Sequence, residues 1–121
     1  MVKVLIVDDS MTQRQLMSSV LEQIGLTVLI ATDGVEAWEQ IQQIQPDIVV
    51  LDIIMPRMNG YEVCRKIKTD PTIHHLPVVL CSSKTEEFDR YWGMKQGADA
   101  YLAKPFQPKE LLSTIQKLLK G

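Results

Sequence analysis

The sequence predicts a doubly wound α/β domain: a five-stranded parallel sheet in the order 2-1-3-4-5, with five helices packed on its two faces. Three observations carry that prediction. Short β-branched runs alternate with longer amphipathic stretches five times over, the links between them are short, and three of the runs are apolar almost throughout. Unbroken apolar runs mark strands covered on both faces, as in a parallel sheet. Repeated strand-then-helix units with short links give right-handed crossovers.

The elements follow in order. KVLIV (3–7) is the first strand. Ser10, with Gln13 three residues on, opens a helix whose apolar face is read as Leu16, Val20, Leu21 and Ile24, and Gly25 ends it. TVLIA (27–31) is the second strand, and Asp33 with Glu36 opens a helix carrying Ala37, Trp38, Ile41 and Ile44 on one face. DIVVL (47–51) is the third strand, with Asn59 and Glu62 opening the helix after it. PVVLC (77–81) is the fourth. In the helix that follows, over roughly 86–96, Phe88 and one other aromatic are expected to face the core. Consecutive Tyr91 and Trp92 cannot both be inside on a 3.6-residue period. AYLAK (100–104) is the last strand, and Pro108 suits the first turn of a final helix with Leu111, Leu112, Ile115, Leu118 and Leu119 inward.

Composition narrows the function. A chain of 121 residues suits one domain over residues 1–121, with no output domain, and is long enough for a core without disulfides or structural metal. The formal net charge of −2 argues against nucleic-acid binding, which needs a basic face. The longest apolar runs are about five residues, too short for a membrane span, and MVKVLIVDD is no signal peptide. The protein is therefore expected in the cytosol. Cys64 and Cys81 lie in apolar segments and read as buried free thiols. His74 and His75, adjacent in a polar link, read as a solvated loop rather than a metal site.

In a parallel sheet every strand delivers its carboxyl end to one edge, where ligands bind at the point of strand-order reversal. That edge would receive Asp8 and Asp9 from strand 1, Asp52 from strand 3, Ser82 from strand 4 and Lys104 from strand 5. Two carboxylates about 5 Å apart repel by about 3 kcal/mol at an effective dielectric near 20, so three together call for a cation or raised pKa values. A hard ion such as Mg²⁺ (or Mn²⁺) answers that need and completes its shell with phosphate oxygens. With Lys104 as the positive charge and Ser82 as a hydroxyl donor, the set reads as a phosphoryl-transfer site in which Asp52 is the nucleophile.

VDD (7–9), LDIIMPRMNGYE (51–62), Ser82 of VVLCSS and KPF (104–106), in that order and each at a strand's carboxyl end, resemble the response-regulator receiver domains of two-component signalling. The resemblance spans essentially the whole chain. It implies that Asp52 accepts phosphate from a histidine kinase and helps to hold the Mg²⁺. Asp9 would ligate that ion directly, Asp8 would assist through water or share it, and the main-chain carbonyl of Ile54 would supply a further ligand. Lys104 would contact the phosphoryl group, while Ser82 and Tyr101 would form the switch pair. Met55-Pro56 and Asn59-Gly60 match the loop that caps the site, and the Lys104–Pro105 bond would be cis. Ile54 and Lys84 flank the approach of hydrolytic water and are expected to set phosphoryl lifetime.

With no output domain, the chain would act by docking, as a monomer or weak dimer, on an unknown downstream protein. The face formed by helix 4, strand 5 and helix 5, with Tyr91, Trp92 and Tyr101, is the expected surface. This architecture is similar to stand-alone CheY- and PilH-type regulators of chemotaxis, twitching or phototactic motility. Other readings remain: Tyr91 and Trp92 packed sideways on helix 5 or strand 5, Ser82 as a helix cap, Tyr101 as static core, and the whole as a phosphorelay intermediate, a phosphate sink or a phosphate-independent adaptor. From another class comes a small magnesium-dependent phosphohydrolase with an Asp nucleophile. That type needs an Asp-x-Asp pair and a cap domain, and the chain offers neither.

Overall fold

A computed structural model describes residues 1–83 and 87–120. Among these residues the elements run β1 (Lys3–Val7), α1 (Met11–Glu22), β2 (Thr27–Ala31), α2 (Gly34–Ile44), β3 (Ile48–Asp52), α3 (Gly60–Thr69), β4 (Val78–Ser82), α4 (Glu87–Lys95), β5 (Ala100–Ala103) and α5 (Pro108–Lys120). The five strands pair in parallel in the order β2-β1-β3-β4-β5, as the sequence predicts. The central strands β1, β3 and β4 are buried nearly end to end, while the edge strand β2 is mostly half-exposed.

Alternate residues of each strand feed two cores. Leu5, Val7, Val49, Leu51 and Leu80 meet Ile41 of α2 and Val63 and Ile67 of α3 on one face. Val4, Ile6, Val50 and Val79 meet Met17 and Leu21 of α1 and Leu111 and Ile115 of α5 on the other. Each such side chain, fully buried, contributes about 1.5–3 kcal/mol. The expected caps form: Ser10, Asp33 and Asn59 accept from the backbone N–H groups of Gln13, Glu36 and Glu62. Both cysteines are buried free thiols, and burial pushes Cys64 up to about 11.

Two strands sit one residue later than the sequence suggests. Asp47 turns the chain into β3, with its carboxylate accepting the Lys3 N–H at 2.7 Å. Pro77, with no N–H to give, precedes β4. Asp52 and Ser82 are thus the last residues of their strands, held by the ladder itself, with Asp52 in register with Cys81. The ladder runs on past the strand ends: Asp8 N–H donates to Ala31, Ile53 to Cys81 and Lys104 to Ser82, the last at 2.8 Å. The backbones that carry the expected site residues are therefore fixed.

Helix α1 buries a different face from the one expected. Met17, Ser18 and Leu21 lie inside, whereas Leu16 is 52% exposed and Ile24 42% exposed. The reason is where the helix stops. It ends at Glu22, and Ile24 falls in a closing turn in which Gly25, at φ +85°, and Leu26 donate back to Glu22 and Leu21. Ser18 pays the cost of this rotation, since its buried Oγ has no hydrogen-bond partner. Ser18→Ala is expected to raise the unfolding free energy by about 1 kcal/mol, because a buried unpaired hydroxyl costs about 1–3 kcal/mol and Ala favours helix. Urea unfolding checks this; a loss of stability would mean that the hydroxyl is satisfied in solution.

Candidate functional site

At the carboxyl edge of the sheet the expected charges meet. Asp8 is 1% exposed, and its Oδ1 accepts the Ser10 N–H at 2.9 Å. Lys104 reaches in from the residue after β5, its Nζ lying 2.9 Å from Asp8 Oδ2 and 3.2 Å from Asp52 Oδ1. Asp9 stands exposed at the rim, and one oxygen each from Asp8, Asp9 and Asp52 lies within 4.8 Å of the others. The Lys104–Pro105 bond is cis. Arg14, one turn into α1, donates to the Asp8 carbonyl at 2.8 Å and ties the helix to the end of β1.

The electrostatics follow from that geometry. Burial holds the Asp52 carboxyl above its ordinary range; Lys104 opposes this, and Asp8 and Asp9 push it further up. Burial alone would lower Lys104, but its bonds to Asp8 and Asp52 outweigh that and leave it above the usual lysine value. Three carboxylates against one ammonium leave two negative charges unbalanced in a partly desolvated space. The donor set, all carboxylate oxygen, fits a hard divalent cation. Two oxygens bound to one Mg²⁺ are at most about 4.2 Å apart, so small side-chain rotations, or a bridging water, close the remaining spread.

Beside the charges sits the hydroxyl–aromatic pair. Ser82 is 1% exposed, and its hydroxyl reaches the Tyr101 phenol. Burial pushes that phenol up, and the Ser82 bond acts in the opposite sense. The Tyr101 ring lies inward, 7% exposed, under Gly93 of α4: a Cβ on Gly93 would come within 3.0 Å of ring carbon Cδ2. Arg90 covers the ring, its guanidinium 5.1 Å from the centroid and its Nη1 donating to the Tyr101 carbonyl at 3.2 Å.

The structure brings together Asp8, Asp9, Asp52 and Lys104, and sets Ser82 against Tyr101. Ile54 stands 57% exposed, two residues beyond Asp52. Lys84 lies outside the described residues. On α4, Tyr91 and Trp92 are exposed, as the surface reading expects, but Tyr101 is not part of that surface because its ring is inside. The expectation that Phe88 packs in the core is wrong: it is 70% exposed. Only Gly93 of α4 is fully buried. Polar bonds hold the helix instead, from the Tyr61 hydroxyl to the Asp89 carbonyl and from Arg65 to Gln96 just past its end. Sequence reading missed Arg14, Arg90 and Arg57. Arg14 follows the cap residue Ser10 by one turn, which was a usable signal; the other two depend on tertiary placement.

Because Asp52 ionises less readily in the fold than in the unfolded chain, its charged form opposes folding. The folded state holds the extra proton between the ordinary value of 3.8 and the raised one, so this cost appears as pH rises through that window and is full at neutrality. In metal-free protein, Asp52→Asn should therefore increase stability at pH 7, with the gain vanishing below pH 3.8. Urea unfolding with a chelator, run across pH, reads this; a variant less stable than the parent at pH 7 would contradict it.

Comparison with known proteins identifies the family of this chain. The family profile described as the response regulator receiver domain matches residues 4–116. Protein PilH of Pseudomonas aeruginosa is 39% identical over 121 residues, covering 100% of both chains. Protein PilG of the same organism is 40% identical over 114 residues, or 94% of this chain and 84% of that protein. The chain spans about half the length of other curated relatives that it matches. Among solved structures, the chemotaxis response regulator CheY4 of Vibrio cholerae superposes with a TM-score of 0.91 at 35% identity, covering 98% of each chain. A five-stranded parallel sheet whose carboxyl edge gathers three aspartates and a lysine, read together with these matches, places this chain in the response-regulator receiver domain family.

Proposed function

We propose that the chain is a phospho-accepting switch, taking a phosphoryl group from a histidine kinase onto Asp52. One observation carries the reading: Asp52 ends the central strand, half-buried, with the Lys104 ammonium at 3.2 Å and the Asp8/Asp9 carboxylates beside it. This supports reading Asp52 as the nucleophile, with a cation and an acid pair able to hold a metal beside it.

The step is a displacement at phosphorus. An Asp52 carboxylate oxygen attacks the phosphohistidine, the P–N bond breaks, and the imidazole leaves as its nitrogen takes up a proton. Asp52 must be ionised to attack, and Lys104 favours that state. Its ammonium, already bonded to Asp8 and Asp52, would follow the incoming charge onto a phosphoryl oxygen. Magnesium, or manganese in its place, held by Asp8, Asp9, Asp52 and the Ile54 carbonyl, would neutralise the remaining phosphoryl oxygens. Asp8, buried and bonded to the Ser10 N–H and Lys104, holds the constellation in place.

The output follows from the neighbouring pair. The new phosphoryl oxygens compete for the Ser82 hydroxyl that now meets Tyr101, so the ring, Arg90 and α4 respond together. Phe88, Tyr91 and Trp92, exposed on that helix, are the groups a downstream protein would read. Full-length likeness to PilH and CheY4 supports a role in motility signalling of the chemotaxis or twitching type, in the cytoplasm.

The test is incubation with Mg²⁺ and a small acyl phosphate, read by intact mass. One added phosphoryl group is expected on the parent and none on Asp52→Asn. Ile54→Asn should change the dephosphorylation rate. Labelling that survives Asp52→Asn would overturn the assignment, and ordinary enzymatic turnover of small phosphomonoesters would favour a hydrolase instead.

A further inference from the structure

The loop between Asp52 and α3 is pinned in an unusual way. At its base, Gly60 N–H donates to the Ile53 carbonyl at 2.9 Å, so the chain leaves and returns at one point. At its tip, Met58 N–H donates to the Pro56 carbonyl at 2.8 Å across Arg57, whose φ is +68°. This is a γ-turn with a long non-glycine residue at its left-handed centre, a conformation that persists only where its surroundings enforce it.

Those surroundings are the N-terminus of α2. Arg57 meets the Asp33 carboxylate as a fork, Nη2 lying 3.0 and 2.9 Å from its two oxygens and Nε 3.1 Å from Oδ2. Asp33 is itself rigid, because its Oδ1 caps α2 by accepting the Glu36 N–H. Beside it the Met58 carbonyl lies flush against Gly34, where any Cβ would overlap the carbonyl oxygen. The α3 cap does not use this pair: Asn59 accepts the Glu62 N–H and the Ile53 carbonyl accepts the Gly60 N–H. What the clamp does fix is the short span between Ile53 and Asn59, which carries the Ile54 carbonyl.

We infer that the Asp33–Arg57 clamp is a positioning device that sets metal preference at the carboxylate site, favouring magnesium over calcium by fixing the span that follows Asp52, from which the Ile54 carbonyl would reach the ion. The inference rests on the magnesium reading above. Magnesium demands near-ideal octahedral geometry with oxygens at about 2.1 Å, whereas calcium accepts longer and looser shells. A rigid loop therefore matters to the smaller ion and hardly to the larger.

Charge and geometry predict opposite results for one substitution. Arg57→Gln removes a positive charge, which by Coulomb attraction alone would tighten cation binding. As a loss of the clamp it should weaken Mg²⁺ binding instead, by about tenfold, the low end for a group that orients a metal ligand. Asp33→Asn keeps a competent cap while losing the fork, and should weaken Mg²⁺ to the same degree. The double variant should be no worse than either single one.

Calorimetric titration of each protein with Mg²⁺ and with Ca²⁺ reads this directly, with thermal unfolding as the control for fold. Support is a rise in the Mg²⁺ dissociation constant at nearly unchanged Ca²⁺ affinity. Tighter or equal Mg²⁺ binding by Arg57→Gln, or parallel losses for both ions, would overturn the inference. If the parent protein binds no Mg²⁺, the magnesium reading falls and the clamp falls with it.

Discussion

The structure turns on one ammonium group. Lys104 Nζ bridges Asp8 and Asp52, residues 96 and 52 positions away in sequence, and so joins the ends of β1, β3 and β5. Without it the site would be a cluster of aspartates in a partly desolvated space. With it the cluster remains two negative charges from neutral, the charge that one divalent cation would balance. The raised pKa of Asp52 shows that the compensation is partial. Full neutralisation would leave no charge for a bound cation to balance.

The sheet makes such crowding affordable. Parallel strands bring their carboxyl ends to one edge whatever the residues there prefer, and the ladder bonds past β1, β3 and β5 lock those residues in place. Two buried cores hold the sheet between helices, so repulsion at the edge is opposed by packing spread over the whole domain. Helix α4 is the exception. Gly93 alone of its residues is fully buried, and polar bonds and the Arg90–Tyr101 contact fasten it. An element held this way can shift at little cost, which suits the face that would carry the signal.

Much of this was legible in the sequence, for physical reasons. Unbroken apolar runs identify central strands, and cap pairs such as Asp33 with Glu36 mark where helices begin. An acid at the tip of a buried strand needs a partner, so Asp52 and Lys104 point to each other in the sequence itself. What failed to show depends on rotation and on distant contacts. The buried face of α1 was misread because its last apolar residue, Ile24, belongs to the turn rather than the helix. Phe88 was placed in the core because a large aromatic usually goes there, but the space under α4 is filled by the Tyr101 ring. The left-handed Arg57 carries no local signature, since its side-chain partner, Asp33, lies 24 residues earlier.

The central claim is tested most directly by removing that ammonium alone. Lys104→Met keeps the length of the side chain and leaves the acids uncompensated. In metal-free protein at pH 7 the variant should lose about 3 kcal/mol of stability, the low end for deleting one partner of a buried ion pair. The Asp52 carboxyl would be held still further above its ordinary range, so the deficit relative to the parent should shrink as pH falls and that carboxyl takes up its proton, and added Mg²⁺ should also reduce it. A deficit that is independent of both pH and Mg²⁺, or no deficit at all, would contradict the account.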